Sequence, residues 1–310
     1  MNSSKERYIR SKDGKDIFLR LWDNVKNPKG IVQIFHGMAE HSERYNEFAD
    51  FLNSNGYIVC ADDHRGHGKS LINGKVKGYI GENGFYKIVE DEKIITDIIK
   101  KEHEGLPLYI FAHSFGSFIG QEYITKYSRE ISGIILSGSA KQDGIDIKFG
   151  GFLAKLQNMI YQDKVEAKLI DKLSFGAFNN KVENRKTQFD WLSRNEAEVQ
   201  KYIKDENCGF ISPINFYYNM FNGLNNLYQK EKLFNIDLEL PILVFSGDED
   251  PVGKYGKSVE KLYNQYKSLG IKYVQIKLYE GGRHELLNEI NKDEVYEFVY
   301  NWINKINEPY

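Results

Sequence analysis

"YIFAHSFGSFIG", Tyr109–Gly120, is the stretch on which the reading of this chain turns. An apolar run stops at Ala112-His113-Ser114-Phe115-Gly116, and a second apolar run begins at once. Two buried segments joined by so short a polar step predict a strand that turns directly into a helix. Such a turn presents the serine oxygen beside a helix N-terminus, where developing negative charge is favoured. The bland alternative is an ordinary connection with a polar tip. A serine hydroxyl is a weak nucleophile near neutral pH, so the sharper reading needs a base and an orienting acid elsewhere. It also needs small residues two before and two after the serine. Nucleophile elbows usually carry glycine at both, whereas this chain has Ala112 and Gly116.

Working outward, short uncharged runs alternate with amphipathic ones. Asp16–Trp22, Gly30–Gly37, Tyr57–Asp63, Pro107–His113 and Ile131–Gly138 predict strands. Arg44–Gly56, Asp91–Glu102 and Ser114–Tyr127 predict helices. The alternation stops after Ala140. From Lys141 to about Asn235 there are helical patterns without clear strands. Ser193 and Glu196 stand at capping-box spacing and predict a helix start, and Asn215–Leu224 is a further helix. Alternation then resumes with strands at Leu240–Gly247 and Tyr273–Gly281 and helices at Tyr255–Gly270 and from Lys292. The fold class is therefore α/β, a mostly parallel sheet covered on both faces. The expected domains are a core of residues 1–140 and 236–310 with a helical cap of residues 141–235. The cap is expected over the carboxyl edge of the sheet, where open α/β folds bind ligands.

The partners for Ser114 fall at two later strand ends. Of seven histidines only His284 follows the serine, after the strand and the pair Gly281-Gly282. The preceding strand ends in "GDEDPV", which offers Asp248, Glu249 and Asp250; composition does not rank them. The order serine, acid, histidine is one known for this elbow. The stretch "HGMAEHSERY", His36–Tyr45, follows an early strand. An oxyanion formed in acyl transfer wants two N–H donors, and the backbone groups of Phe115 and Met38 are the candidates. Glu40 and His41 are expected to anchor that loop. His64 and His67 lack partners at metal spacing and read as a structural loop, and His113 as a packing residue beside the elbow.

Composition bounds the rest. The 42 basic and 44 acidic residues leave a formal charge of −2, so nothing in the overall balance favours nucleic acid. Cys60 and Cys208 are too few for a disulfide framework or a zinc site. The opening "MNSSKERYIRSKDGK" lacks a secretory apolar region, and no apolar run approaches membrane-span length, which predicts a cytoplasmic protein.

Together "HGMAEHSERY", "DDHRGHGKS", "AHSFGS", "GDEDPV" and "GGRHELLNE" resemble the α/β-hydrolase superfamily, in particular its monoacylglycerol lipase and lysophospholipase-like branch. The resemblance runs over nearly the whole chain, a cap of the expected length included. It implies Ser114 as nucleophile, His284 as general base and Asp250 as orienting acid, with Asp248 in reserve and Met38 and Phe115 as oxyanion donors. It implies a serine carboxylester hydrolase acting on a small lipid-like monoester, with no metal and no organic cofactor. Other acyl bonds and a non-catalytic receptor on the same fold are the alternatives. Phe210, Ile211, Phe216 and Met220 of the cap are candidates to line an acyl groove, although helical spacing favours packing on the sheet for most of them. Transient contact of the cap with a membrane surface is a further expectation; the oligomeric state is left open.

Overall fold

The computed structural model describes residues 4–72 and 76–307; the first three residues of the N-terminal stretch read above lie outside them. Strands β1 (Lys5–Arg10), β2 (Asp16–Trp22) and β3 (Gly30–Phe35) lead through a 3-10 turn, Ser42–Tyr45, into α1 (Asn46–Ser54) and β4 (Tyr57–Asp62). Then come α2 (Gly84–Glu102), β5 (Leu108–His113), α3 (Phe115–Tyr127) and β6 (Gly133–Ser137). Five helices follow: α4 (Ile145–Ile160), α5 (Lys168–Phe175), α6 (Glu196–Lys204), α7 (Ile214–Leu227) and α8 (Lys230–Leu233). The chain closes with β7 (Ile242–Gly247), α9 (Lys257–Ser268), β8 (Val274–Tyr279) and α10 (Lys292–Asn307).

The eight strands form one sheet in the order β1-β2-β4-β3-β5-β6-β7-β8. Only the pairs β1–β2 and β2–β4 are antiparallel. The central strands are buried on both faces, which is why they read as unbroken apolar runs. Alternation survives in where each side chain goes. Leu108, Ile110 and Ala112 join the core on one face, with Tyr109 and Phe111 in the core on the other.

Differences from the sequence reading lie at ends and edges. β1 is an edge strand of charged residues, "KERYIR", with only Ile9 buried, so it carries no apolar run to betray it. Helix α2 starts seven residues before Asp91, at Gly84, whose N–H donates to Asn219 Oδ1 at 2.8 Å. Ser193 is not a helix cap. Asn195 caps α6 by accepting from the Ala197 N–H, while the Ser193 hydroxyl donates to the Asn288 carbonyl at 2.8 Å. Cys60 and Cys208 are both buried and free.

Candidate active site

Ser114 follows β5 with φ 50° and ψ −118°, a backbone state that L-residues rarely adopt. The strain holds the hydroxyl at the tip while Phe115 opens α3. Gly116 is obligatory here: a Cβ would stand 2.2 Å from the Phe35 carbonyl oxygen. The alanine at position 112 is accommodated because Gly120 faces it; a Cβ on Gly120 would lie 3.0 Å from that of Ala112. The departure from the usual elbow is thus absorbed one helical turn on.

β7 and β8 deliver the partners. The Ser114 hydroxyl lies 2.8 Å from His284 Nε2, and His284 Nδ1 lies 2.9 Å from Asp250 Oδ2. The carboxylate can only accept, so the Nδ1 proton goes to Asp250 and Nε2 is left to accept from the serine. Asp250 also accepts from the Ser246 hydroxyl and the Val252 N–H, each at 2.8 Å. Burial raises the Asp250 carboxyl, but the His284 charge and these hydrogen bonds outweigh it and hold it below the ordinary range. Burial depresses His284, yet the Asp250 charge and hydrogen bond leave it above the usual imidazole value of 6.5. Asp248 lies outside the row: its Oδ1 accepts from the Gly281 N–H at 2.8 Å and stitches the two loops together.

Met38 and Phe115 both line the cavity that contains Ser114 and His284. Neither backbone N–H donates to a protein acceptor among the described residues. The loop is locked on either side of Met38. His36 Nδ1 donates to the Gly37 carbonyl at 2.7 Å, and the Gly37 N–H donates to Glu40 Oε1 at 2.5 Å. Within the trans peptide, fixing the Gly37 carbonyl on one side turns the Met38 N–H to the other. His36 Nε2 accepts from the His64 N–H at 2.8 Å. His64 donates to Asp62 and to the His36 carbonyl, so it carries both protons. Burial disfavours that charge, but Asp62 and Glu92 raise His64 to about 10. Burial and the His64 charge together keep His36 well down, in its neutral form.

His113, 4.9 Å from the His284 ring between centroids, is pushed down to about 4 by burial and by its neighbour's charge. His41 Nε2 lies 2.8 Å from Asp205 Oδ2 and ties the loop to the helical segment. Among the described residues two groups have metal-capable donors in mutual reach, His36-Asp62-His64 and His41-Asp205-Cys208. In the first, the imidazole atoms are already committed to the hydrogen bonds just described.

The cavity has a volume of about 1050 Å³. Phe210, Ile211 and Met220 line it. Phe216 does not: it is fully buried behind Phe115, with ring centroids 4.9 Å apart, and packs the segment on the sheet. Ile147, Phe149 and Leu153 of α4 and Leu173 and Phe175 of α5 supply wall that sequence reasoning missed. Trp191 was missed too; its ring covers His284 at 5.0 Å between centroids. The pairing of Arg44 with Glu285, at 2.7 and 2.8 Å, had a sequence signal only in the acid beside His284.

The fold and the serine elbow define an α/β-hydrolase, and the chain is a serine hydrolase. Residues 26–291 match the Hydrolase_4 family, described as serine aminopeptidase, S33, and the chain belongs to that family. It is 29% identical over 295 residues to monoacylglycerol lipase of Mycolicibacterium smegmatis, covering 94% of this chain and 93% of that protein. It is 27% identical to human monoglyceride lipase over 304 residues, covering 96% of this chain and 88% of the relative. A thermostable carboxyl esterase from Bacillus coagulans, crystallised with glycerol, superposes with a TM-score of 0.89 at 30% identity, covering 99% of each chain.

Proposed function

We propose that the chain hydrolyses a small lipid-like monoester, a monoacylglycerol or lysophospholipid, through an acyl-enzyme. The observation that carries this reading is the bonded row from Ser114 through His284 to Asp250, opening on a cavity with aliphatic and aromatic walls. His284 Nε2 takes the serine proton as Oγ attacks the ester carbonyl. The Met38 and Phe115 N–H groups hold the oxyanion. As the carbon–oxygen bond to the alcohol breaks, the imidazolium returns its proton to the leaving oxygen. Water then attacks the acyl-serine, loses a proton to the same nitrogen, and releases the acid as the proton returns to Ser114.

Residues 141–235 act in this reading as the cap that gives the acyl chain an apolar bed, with Phe210, Ile211 and Met220 on its wall. The outer faces of α4 and α5 expose Phe152, Met159, Ile160 and Leu169, each more than half accessible. That surface supports transient contact with lipid during substrate uptake. No helix among the described residues is long and apolar enough to cross a membrane.

The family description raises peptide substrates as the second reading. An aminopeptidase needs a free acid for the substrate's ammonium group. Three of the acidic residues on the cavity wall already hold a cation, Glu40 and Glu285 with Arg44 and Asp146 with Lys254, while Asp171 accepts one bond from the Tyr217 hydroxyl. The aliphatic and aromatic lining around Ser114 favours esters. A fluorophosphonate probe should label the wild type and not Ser114→Ala. A panel of monoacylglycerols, lysophospholipids, short nitrophenyl esters and aminoacyl anilides should show turnover of the lipid monoesters. Anilide cleavage exceeding ester cleavage would overturn the assignment.

A further inference from the structure

Beside the row of Ser114, His284 and Asp250 lies a second buried constellation. The Arg44 guanidinium donates to both oxygens of Glu285 at 2.8 and 2.7 Å, and to Glu40 Oε2 at 2.6 Å. Glu40 Oε1 in turn accepts from the Gly37 N–H and, at 2.9 Å, from the Tyr45 hydroxyl. The side-chain exposures are 4% for Glu40, 7% for Glu285 and 12% for Arg44. The ring of Tyr202 covers the guanidinium at 4.8 Å, and its hydroxyl donates to the Ala39 carbonyl at 3.1 Å.

Three desolvated charges, two of one sign, are a poor device for stability. Attraction within such a group recovers only part of what is lost by leaving water. Their position gives a better reason. Glu40 grips the peptide that precedes the Met38 N–H, and Glu285 is the residue directly after His284. Among the described residues Arg44 is the one group bonded to both. Its bonds to the two acids leave it poorly placed to receive an anionic head group.

We propose that Arg44 is a positioning residue, bridging Glu40 and Glu285 so that the oxyanion donor at Met38 and the imidazole of His284 are held as one unit. This rests on the assignment of Ser114, His284 and Met38 made above. A displacement near 1 Å between such groups is enough to cost on the order of a hundredfold in rate. Glu285 is also forced into its charged form: burial opposes ionisation, but Arg44 brings its carboxyl down to about 2. The charge it keeps beside the imidazole adds to the hold of Asp250 on the His284 proton.

Arg44→Met would strand two buried carboxylates and is open to misfolding. Arg44→Lys and Glu285→Gln are therefore the working variants, since each keeps bulk and some hydrogen bonding. On a short soluble nitrophenyl ester, Arg44→Lys should lose about tenfold to a hundredfold in kcat, with KM within about threefold. Affinity for a trifluoromethyl ketone, which forms a tetrahedral adduct, should fall in parallel. Affinity for a non-hydrolysable ether analogue should stay. Glu285→Gln should move the acid limb of kcat/KM to lower pH, and the double variant should lose little more than Arg44→Lys alone.

Unchanged kcat in Arg44→Lys, a loss confined to KM, or a loss matched by the unfolded fraction would overturn the positioning role. Wild-type protein that neither labels with fluorophosphonate nor turns over any ester would instead remove the assignment beneath it. Active wild type with an indifferent Arg44→Lys removes the positioning role alone.

Discussion

The rear of the cavity and its mouth are built on different principles. At the rear, the His284 loop is tied to residues 190–194 by a run of polar links. Glu285 N–H donates to the Leu192 carbonyl at 2.7 Å, Arg194 Nε to Glu289 at 2.8 Å, and Arg283 to the Asp190 carbonyl at 2.8 Å. At the mouth, α4 buries only Ala154 and rests mainly on α7. Its outer ion pair, Lys254 with Asp146, is exposed. The row of Ser114, His284 and Asp250 is thus fixed by directional bonds, whereas α4 presents mainly apolar surface, which is indifferent to direction.

The largest test of this contrast is at the rear. Ser114→Ala or His284→Ala should lower turnover by roughly four to six orders of magnitude on every substrate, however presented. Equal losses in a folded mouth variant on a soluble ester would break the comparison. Asp250→Asn should cost about 10⁴-fold, because its amide no longer holds the imidazole in the right tautomer. Asp248→Asn should cost less than tenfold, since the amide oxygen can still accept from Gly281. The reverse ranking would reassign the acid.

The pH profile sharpens the same point. In the proposed mechanism His284 must be neutral to accept the serine proton, and, burial notwithstanding, the Asp250 charge raises it above the ordinary imidazole value. The wild-type rate should therefore fall on acidification with a midpoint above 6.5. Stopped or steady-state kcat/KM measured from acid to neutral pH locates that midpoint. At the mouth, effects should be smaller and conditional. Phe152→Glu with Met159→Glu should cost about threefold to tenfold on monoesters in vesicles and almost nothing on a short soluble ester. The smallest effect belongs to the ties. Ser193→Ala removes two bonds, one to the Asn288 carbonyl and one from the Asn195 N–H, and should lower stability by about 2 kcal/mol in a denaturant titration.

The same contrast explains what the sequence discloses. Buried strands such as Leu108–His113 announce themselves by composition, and the elbow by its small residues. Order along the chain places His284 after an acid loop, but Asp248 and Asp250 are chemically alike; only the path of the loop turns one inward. The mouth is harder to read. α4 is "IDIKFGGFLAKLQNMI", apolar on several sides, so no stripe declares which side meets the cavity and which meets solvent. Phe216 stands one helical turn before the cavity residue Met220, yet its place behind Phe115 is a tertiary fact. The bond from Arg44 to Glu285 spans 241 residues, beyond any local periodicity.

The indole of Trp191 gives the enzyme a built-in optical gauge. Trp22 and Trp302 lie in the core on one face of the sheet, while Trp191 sits against the imidazole of His284. Protonated imidazole quenches a neighbouring indole, so the share of emission that Trp191→Phe removes should fall as His284 takes up a proton, without label or substrate.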